Sequence, residues 1–287
     1  MKSLAVPVIF LSALAQMPAY AAVRVFACEP EWASLAQELG GDRVEVTSAT
    51  SPEQDVHYIQ ARPSLIAQVR RADLVMCTGA ELEVGWLPLL LRQGGNPKVQ
   101  PGQQGYFEAA SAVHLLEIPT SVDRARGDVH PYGNPHILLD ARNILPIAEE
   151  LAGRLKALDP AGAITYDERH RDFVARWNAA LTRWTERTAP LRGMQFVGHH
   201  RSYVYLAHWL GLEEVASLEP KPGIEPSTGH LAELLERIRT SDVKVIMRSV
   251  YQSSRASDWL ASRTGIPAIV LPHTVGSQPG ADDLFAL

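Results

Sequence analysis

The sequence predicts an α/β protein of two lobes, each a parallel sheet flanked by helices, joined by a long rigid helix. Three observations lead there. Apolar strand-like runs alternate with helix-like segments in the first third of the 287 residues, the middle carries only helical periodicity, and the alternation resumes after Pro190. Alternation of this kind argues for parallel strands with crossover helices.

In chain order, a strand at Val23–Cys28 leads into a helix over about Glu31–Leu39, and a second strand follows at Val44–Thr47. A helix begins at Pro63, where proline suits the first turn, and runs to Arg71. The strand Leu74–Cys77 is followed by Gly79 and a helical segment near Gly85–Leu91. Asn143–Ala157 repeats apolar residues at helical spacing until Asp159-Pro160 interrupts it. The next helix, Ala161–Thr188, places Phe173, Trp177, Leu181 and Trp184 on one stripe and spans roughly 40 Å at 1.5 Å per residue. It reads both as a core-facing helix and as a strut between lobes. Beyond Pro190, strands are expected at Gln195–Val197, Glu214–Ser217, Val243–Met247 and Ala268–Leu271, with helices near Tyr203–Leu210, Leu231–Arg239 and Ser254–Arg263. The implied division is 1–21 as a signal peptide, 22–158 as the first lobe, 159–189 as the linking helix and 190–287 as the second lobe.

The signal peptide rests on Lys2, the apolar run Leu4–Leu14 and Ala19-Tyr20-Ala21, with cleavage near Ala21. The run is too short for a membrane span, which needs roughly 20 residues, so the alternative is a buried N-terminal helix. Export to the periplasm is the expectation. Hydrophobic residues at 46% against 21% charged predict a packed core. A net charge of −5 without a basic patch argues against nucleic acid as a partner. Cys28 and Cys77 each end an apolar strand. If those strands are neighbours, the sulfurs share a sheet edge, where either a disulfide or two buried thiols fits.

Ligand clefts in such folds open beyond the carboxyl ends of the strands, so polar residues in those loops are the candidates. Of ten histidines, His57 follows the second strand, His136 lies in Gly133-Asn134-Pro135-His136, and His199-His200 follows Gln195–Val197. Asp282-Asp283 comes after the last strand. A single such histidine is ordinarily a surface or core residue. Several converging from separate loops, with a carboxylate, suit zinc.

The stretches Asp55-Val56-His57 with Arg62-Pro63-Ser64, Ala72-Asp73-Leu74-Val75 running into Thr78-Gly79-Ala80-Glu81-Leu82-Glu83, Gly133-Asn134-Pro135-His136-Ile137-Leu138-Leu139-Asp140, and His200-Arg201-Ser202-Tyr203-Val204-Tyr205-Leu206 together resemble the zinc-binding branch of the zinc/manganese (cluster A-I) substrate-binding proteins of ABC transporters. The resemblance runs in the same order through the mature chain. It implies a non-enzymatic protein that captures Zn2+, its transported ligand, between the lobes and delivers it to a membrane permease. It further implies His57, His136 and His200 as metal ligands. For the fourth, the family's acid followed two residues on by an aromatic matches Asp283 and Phe285, with Asp282 the neighbouring choice. Leu284 stands where relatives carry serine or threonine. A monomer is expected, and a periplasmic metal-donor protein is a further partner to consider.

Other histidines are expected to be structural, with His273 packing locally and His130 a loop residue that either takes up metal weakly or faces solvent. Glu219 and Glu225 either line the cleft or sit in exposed turns. Two other readings remain, a secreted zinc hydrolase and a manganese-binding relative. The chain has no H-E-x-x-H or G-x-S-x-G, which weakens the first. Manganese relatives commonly carry a second carboxylate where His200 stands, which weakens the second.

Overall fold

The structure, a computed structural model, describes residues 21–121, 127 and 130–287. The expected signal sequence lies outside them, apart from Ala21. Two four-stranded parallel sheets form, one from each half of the chain. The first has order β2-β1-β3-β4, with β1 Val23–Ala27, β2 Val44–Ser48, β3 Leu74–Cys77 and β4 Tyr106–Glu108. The second repeats that order as β6-β5-β7-β8, with β5 Gln195–Gly198, β6 Glu213–Ser217, β7 Val243–Arg248 and β8 Ala268–Val270. In each sheet the strand order reverses beside the first strand, between β1 and β3 and between β5 and β7. Such switch points open crevices at the carboxyl ends of strands.

Sheet one is covered on both faces, so its central strand β3 is apolar and buried throughout and β1 is so apart from Arg24. Val25, Ala27, Leu74, Met76 and Phe107 pack with α1 (Pro30–Gly40), α4 (Ile144–Leu158) and α5 (Ala163–Thr188). Phe26, Cys28, Val75 and Cys77 face α2 (Pro63–Arg71) and α3 (Leu87–Gly94). In sheet two, Val197 and Ile246 pack with α7 (Thr228–Ile238) and α8 (Arg255–Thr264). On the opposite face Phe196 and Met247 meet Tyr203 and Leu206, the latter in α6 (Val204–Leu210).

β1 and β3 pair with Ala27 opposite Met76, so the next residues, Cys28 and Cys77, fall opposite each other. They form a disulfide, with Cα atoms 4.7 Å apart. That resolves the two alternatives left by the sequence.

The long helix α5 has 26 residues, and its stripe faces the first lobe. Phe173 and Trp177 stack at 5.3 Å, and the Trp177 indole donates to the Ala141 carbonyl at 2.8 Å. The segment after β8 does not stay with the second sheet. Thr274 donates its hydroxyl to the buried carboxylate of Glu31. Leu284 and Phe285 join the first lobe's core, the Phe285 ring lying 4.9 Å from Trp177 and 5.6 Å from Phe173. The last residues, grouped by sequence with the second lobe, therefore fasten the two halves together. β4 escaped the sequence reading because it is a three-residue edge strand led in by Gly102 and Gly105, too short to carry a periodic signal.

Candidate metal centre

Each of the three loop histidines is set by its own turn. Asp55 caps the 3-10 turn Val56–Tyr58, accepting from the His57 backbone N–H at 3.0 Å. The same carboxylate oxygen meets His57 Nδ1 at 2.7 Å. A carboxylate can only accept, so Nδ1 carries the proton and Nε2 is left as the free donor atom. That Nε2 is buried with no hydrogen-bond partner. Burial by itself would lift the Asp55 carboxyl, but the bonds from His57 outweigh it and hold the group below the usual carboxylate range.

His136 follows Asn134-Pro135, and the Asn134 side-chain oxygen accepts from its N–H at 2.9 Å. The Asn134 amide also donates to the Arg201 carbonyl and to Glu117, both at 3.0 Å. The turn holding His136 is thereby tied to the residue after His200. Tyr205 reinforces the tie, its hydroxyl donating to the Asn134 carbonyl at 2.7 Å. His200 leaves the end of β5, at the second sheet's switch point, and its Nδ1 meets Glu219 at 2.7 Å.

The three rings converge. One ring nitrogen from each of His57, His136 and His200 lies within 4.8 Å of the others, and His136 Nε2 stands 3.1 Å from His200 Nε2. Ring centroids are 5.1–5.5 Å apart. A tetrahedral zinc with Zn–N of about 2.0–2.1 Å keeps its nitrogens roughly 3.3–3.4 Å apart, close to the His136–His200 spacing. Burial, then the neighbouring His200 and His57 rings, pushes His136 well below the ordinary imidazole range. Its ring is therefore neutral, the form that binds metal.

Asp283 is not with them. Its carboxylate is exposed and accepts from the Phe285 and Ala286 backbone N–H groups, both at 2.8 Å. Leu284 and Phe285 go into the first lobe's core, and the acid caps the turn that delivers them. Asp282 is exposed as well.

His130 is half-buried, its ring 5.5 Å from His57. His199 is buried, and burial lowers its pKa. Glu225 is exposed, whereas Glu219 holds His200. His273 is more than a local packing residue. It shares with His136 the lining of a small cavity of about 60 Å³, its Nδ1 has no hydrogen-bond partner, and burial pushes it down to about 4.

Glu29 and Glu31 also line that cavity, an acidic feature no sequence pattern announced. Glu29, Glu31 and Glu83 are all buried at the switch point of sheet one. Glu29 and Glu83 both accept from the Thr78 N–H, at 3.2 and 2.8 Å. Burial, and then the neighbouring carboxylates, lifts Glu29 far above its usual range, and burial raises Glu31 and Glu83 to about 7. Unfolded, these groups ionise near pH 4.3. Their protonated forms stabilise the fold fully below that pH, and the contribution is lost as pH rises through about 7. Lowered histidines such as His273 act oppositely, losing stability below pH 6.5. Glu31→Gln isolates one acid. Relative to the parent, this variant should gain on the order of 2 kcal/mol between pH 5 and pH 8, read from thermal melts. A pH-independent difference would contradict the burial argument.

With this geometry in hand, comparison with known proteins is decisive. The family model for the zinc-uptake complex component A, periplasmic, matches residues 25–287. The chain belongs to that family. Among curated relatives, it is 24% identical over 248 residues to the high-affinity zinc uptake system protein ZnuA of Bacillus subtilis, covering 84% of this chain and 75% of that one. It is 23% identical over 239 residues to the zinc-binding lipoprotein AdcA of Streptococcus pneumoniae, covering 82% of this chain and 46% of AdcA. The chain thus spans about half the length of AdcA. A crystal structure of ZnuA superposes with a TM-score of 0.77 at 21% identity, covering 92% of this chain and 96% of that one, and shows a shared fold.

Proposed function

We propose that the protein is an exported, periplasmic solute-binding protein that captures Zn2+ between its lobes and hands it to the permease of an ABC-type importer. The convergence of His57, His136 and His200 on one point carries this reading. Three imidazole donors suit zinc better than manganese, which prefers harder oxygen donors. The fourth corner of the tetrahedron falls to water or to His273, whose bare Nδ1 and shared cavity with His136 recommend it.

Binding without turnover follows from the carboxylates. A zinc hydrolase needs an open coordination position beside a general base. Asp55 and Glu219, the acids at the rings, are both engaged at Nδ1. There they fix the tautomer and raise the ligands' basicity, as carboxylates behind zinc-bound histidines do. Among the described residues no helix is long and apolar enough to cross a membrane. A permease as partner, a monomeric state and delivery by a periplasmic metal donor belong to the same reading.

The reading is tested by metal content and chelator competition on the purified protein, with one tightly held zinc per chain expected. Protein that retains no zinc against a weak chelator would refute it. The same titration reads the two orienting acids. Asp55→Asn and Glu219→Gln should each weaken zinc binding about 10–100-fold, and unchanged affinity in both would remove their assigned role.

A further inference from the structure

Among the described residues eight large apolar side chains are left exposed, and four of them lie near the loops of the candidate metal centre. Tyr58, Val84, Ile118 and Tyr132 are each 58–64% exposed. All four lie in loops that carry or flank His57 and His136. Two of them, Val84 and Tyr132, line a groove of about 400 Å³ together with Leu87, Leu115, Glu81 and Glu108. Among the described residues neither lysine nor arginine lines it. Apolar side chains exposed along a groove mark a contact face, and the carboxylates of Glu81 and Glu108 at its rim favour a basic partner.

The groove is mechanically joined to the metal loop. The Trp86 indole donates to the Val56 carbonyl at 2.8 Å, and a Cβ at Gly85 would stand 3.0 Å from the His57 carbonyl oxygen. The backbone at the rim is also strained. Gly79, Ala80 and Glu81 have φ of 81°, 51° and 66°, so two residues with side chains sit in the left-handed region. The buried Glu83 carboxylate holds this turn by accepting from the Thr78 and Gly79 N–H groups. Strain of this type persists where the surroundings enforce it, commonly at working surfaces.

We infer that this groove is the seat for the periplasmic face of the importer's permease, which inserts an apolar side chain beside a lysine or arginine that pairs with Glu81. The inference rests on the zinc-delivery reading and names where delivery is engaged. A partner seated there bears on Gly85 and hence on the backbone of His57, coupling docking to the ligand loop.

The test uses cells of the source organism in which this protein is the sole zinc-binding component of its importer, with radioactive zinc uptake as readout. Val84→Asp and Glu81→Lys are compared with Ile164→Asp, a still more exposed apolar site on α5 far along the chain from the groove. The purified Val84 and Glu81 variants should hold zinc within about twofold of the parent, since neither residue touches the histidines. Their uptake should fall at least about tenfold, the weight of a central interface residue, while Ile164→Asp transports normally. Full uptake in both groove variants overturns the inference, as does a loss of uptake matched by an equal loss of zinc affinity. Retention of the parent protein, but not the groove variants, on protein-free vesicles of the same lipids would overturn it by assigning the groove to the bilayer. A parent protein that binds zinc yet supports no uptake would refute the delivery reading, and the groove assignment with it.

Discussion

Replacing His57, His136 or His200 with alanine should each lower zinc affinity by at least about a hundredfold. A tetrahedral zinc site of this type is worth about 10–16 kcal/mol near neutral pH. Spread over four donors that leaves roughly 3 kcal/mol or more for each, and 1.4 kcal/mol is tenfold. The loss should be similar at the three positions because each ring supplies one donor nitrogen to a common point. Asp283→Ala and Asp282→Ala serve as controls and should bind zinc as the parent does. The Asp283 carboxylate is spent on the Phe285 and Ala286 N–H groups, so its removal should be felt in stability alone. Competition with a chromogenic chelator reads all five variants. A normal affinity in any of the three histidine variants would remove that residue from the site.

The second large effect concerns the fold. Removing the disulfide by the Cys28→Ala, Cys77→Ala double change should destabilise the protein by about 4 kcal/mol. The two cysteines are 49 residues apart, and closing a loop of that length lies between the ~3 kcal/mol of a 15-residue loop and the ~4.7 of a 100-residue one. The bridge joins the carboxyl ends of β1 and β3, where Glu29 and Thr78 follow at once. Urea denaturation with and without reductant measures it. A change under about 1 kcal/mol would show that strand pairing alone holds this edge.

Much of the fold is legible in the sequence because its elements are long and strongly patterned. α2 and β3 fall where the proline and the apolar run place them, and α5 carries a stripe that no strand could imitate. What stays hidden is what depends on distant partners. Phe285 reads as part of a ligand motif, but its destination between Phe173 and Trp177 follows from the path of the last segment across the interface. Glu29, Glu31 and Glu83 look like ordinary helix and loop acids. Only the assembled switch point buries all three together. The candidate site was half visible in the same sense. Three histidines in loops after strands are conspicuous, whereas the roles of Asp55 and Glu219 need ring orientations that spacing cannot supply. Asp55, two residues before His57 at the head of a turn, is the one of the pair that a capping argument could have found.

The most direct measurement is a crystal of the protein soaked with zinc, with an anomalous difference map collected at the zinc absorption edge. The peak should lie about 2.0–2.1 Å from Nε2 of His57, His136 and His200 at once. A principal peak elsewhere, for instance on the Asp282-Asp283 turn, with the three imidazoles left unligated, would contradict the account.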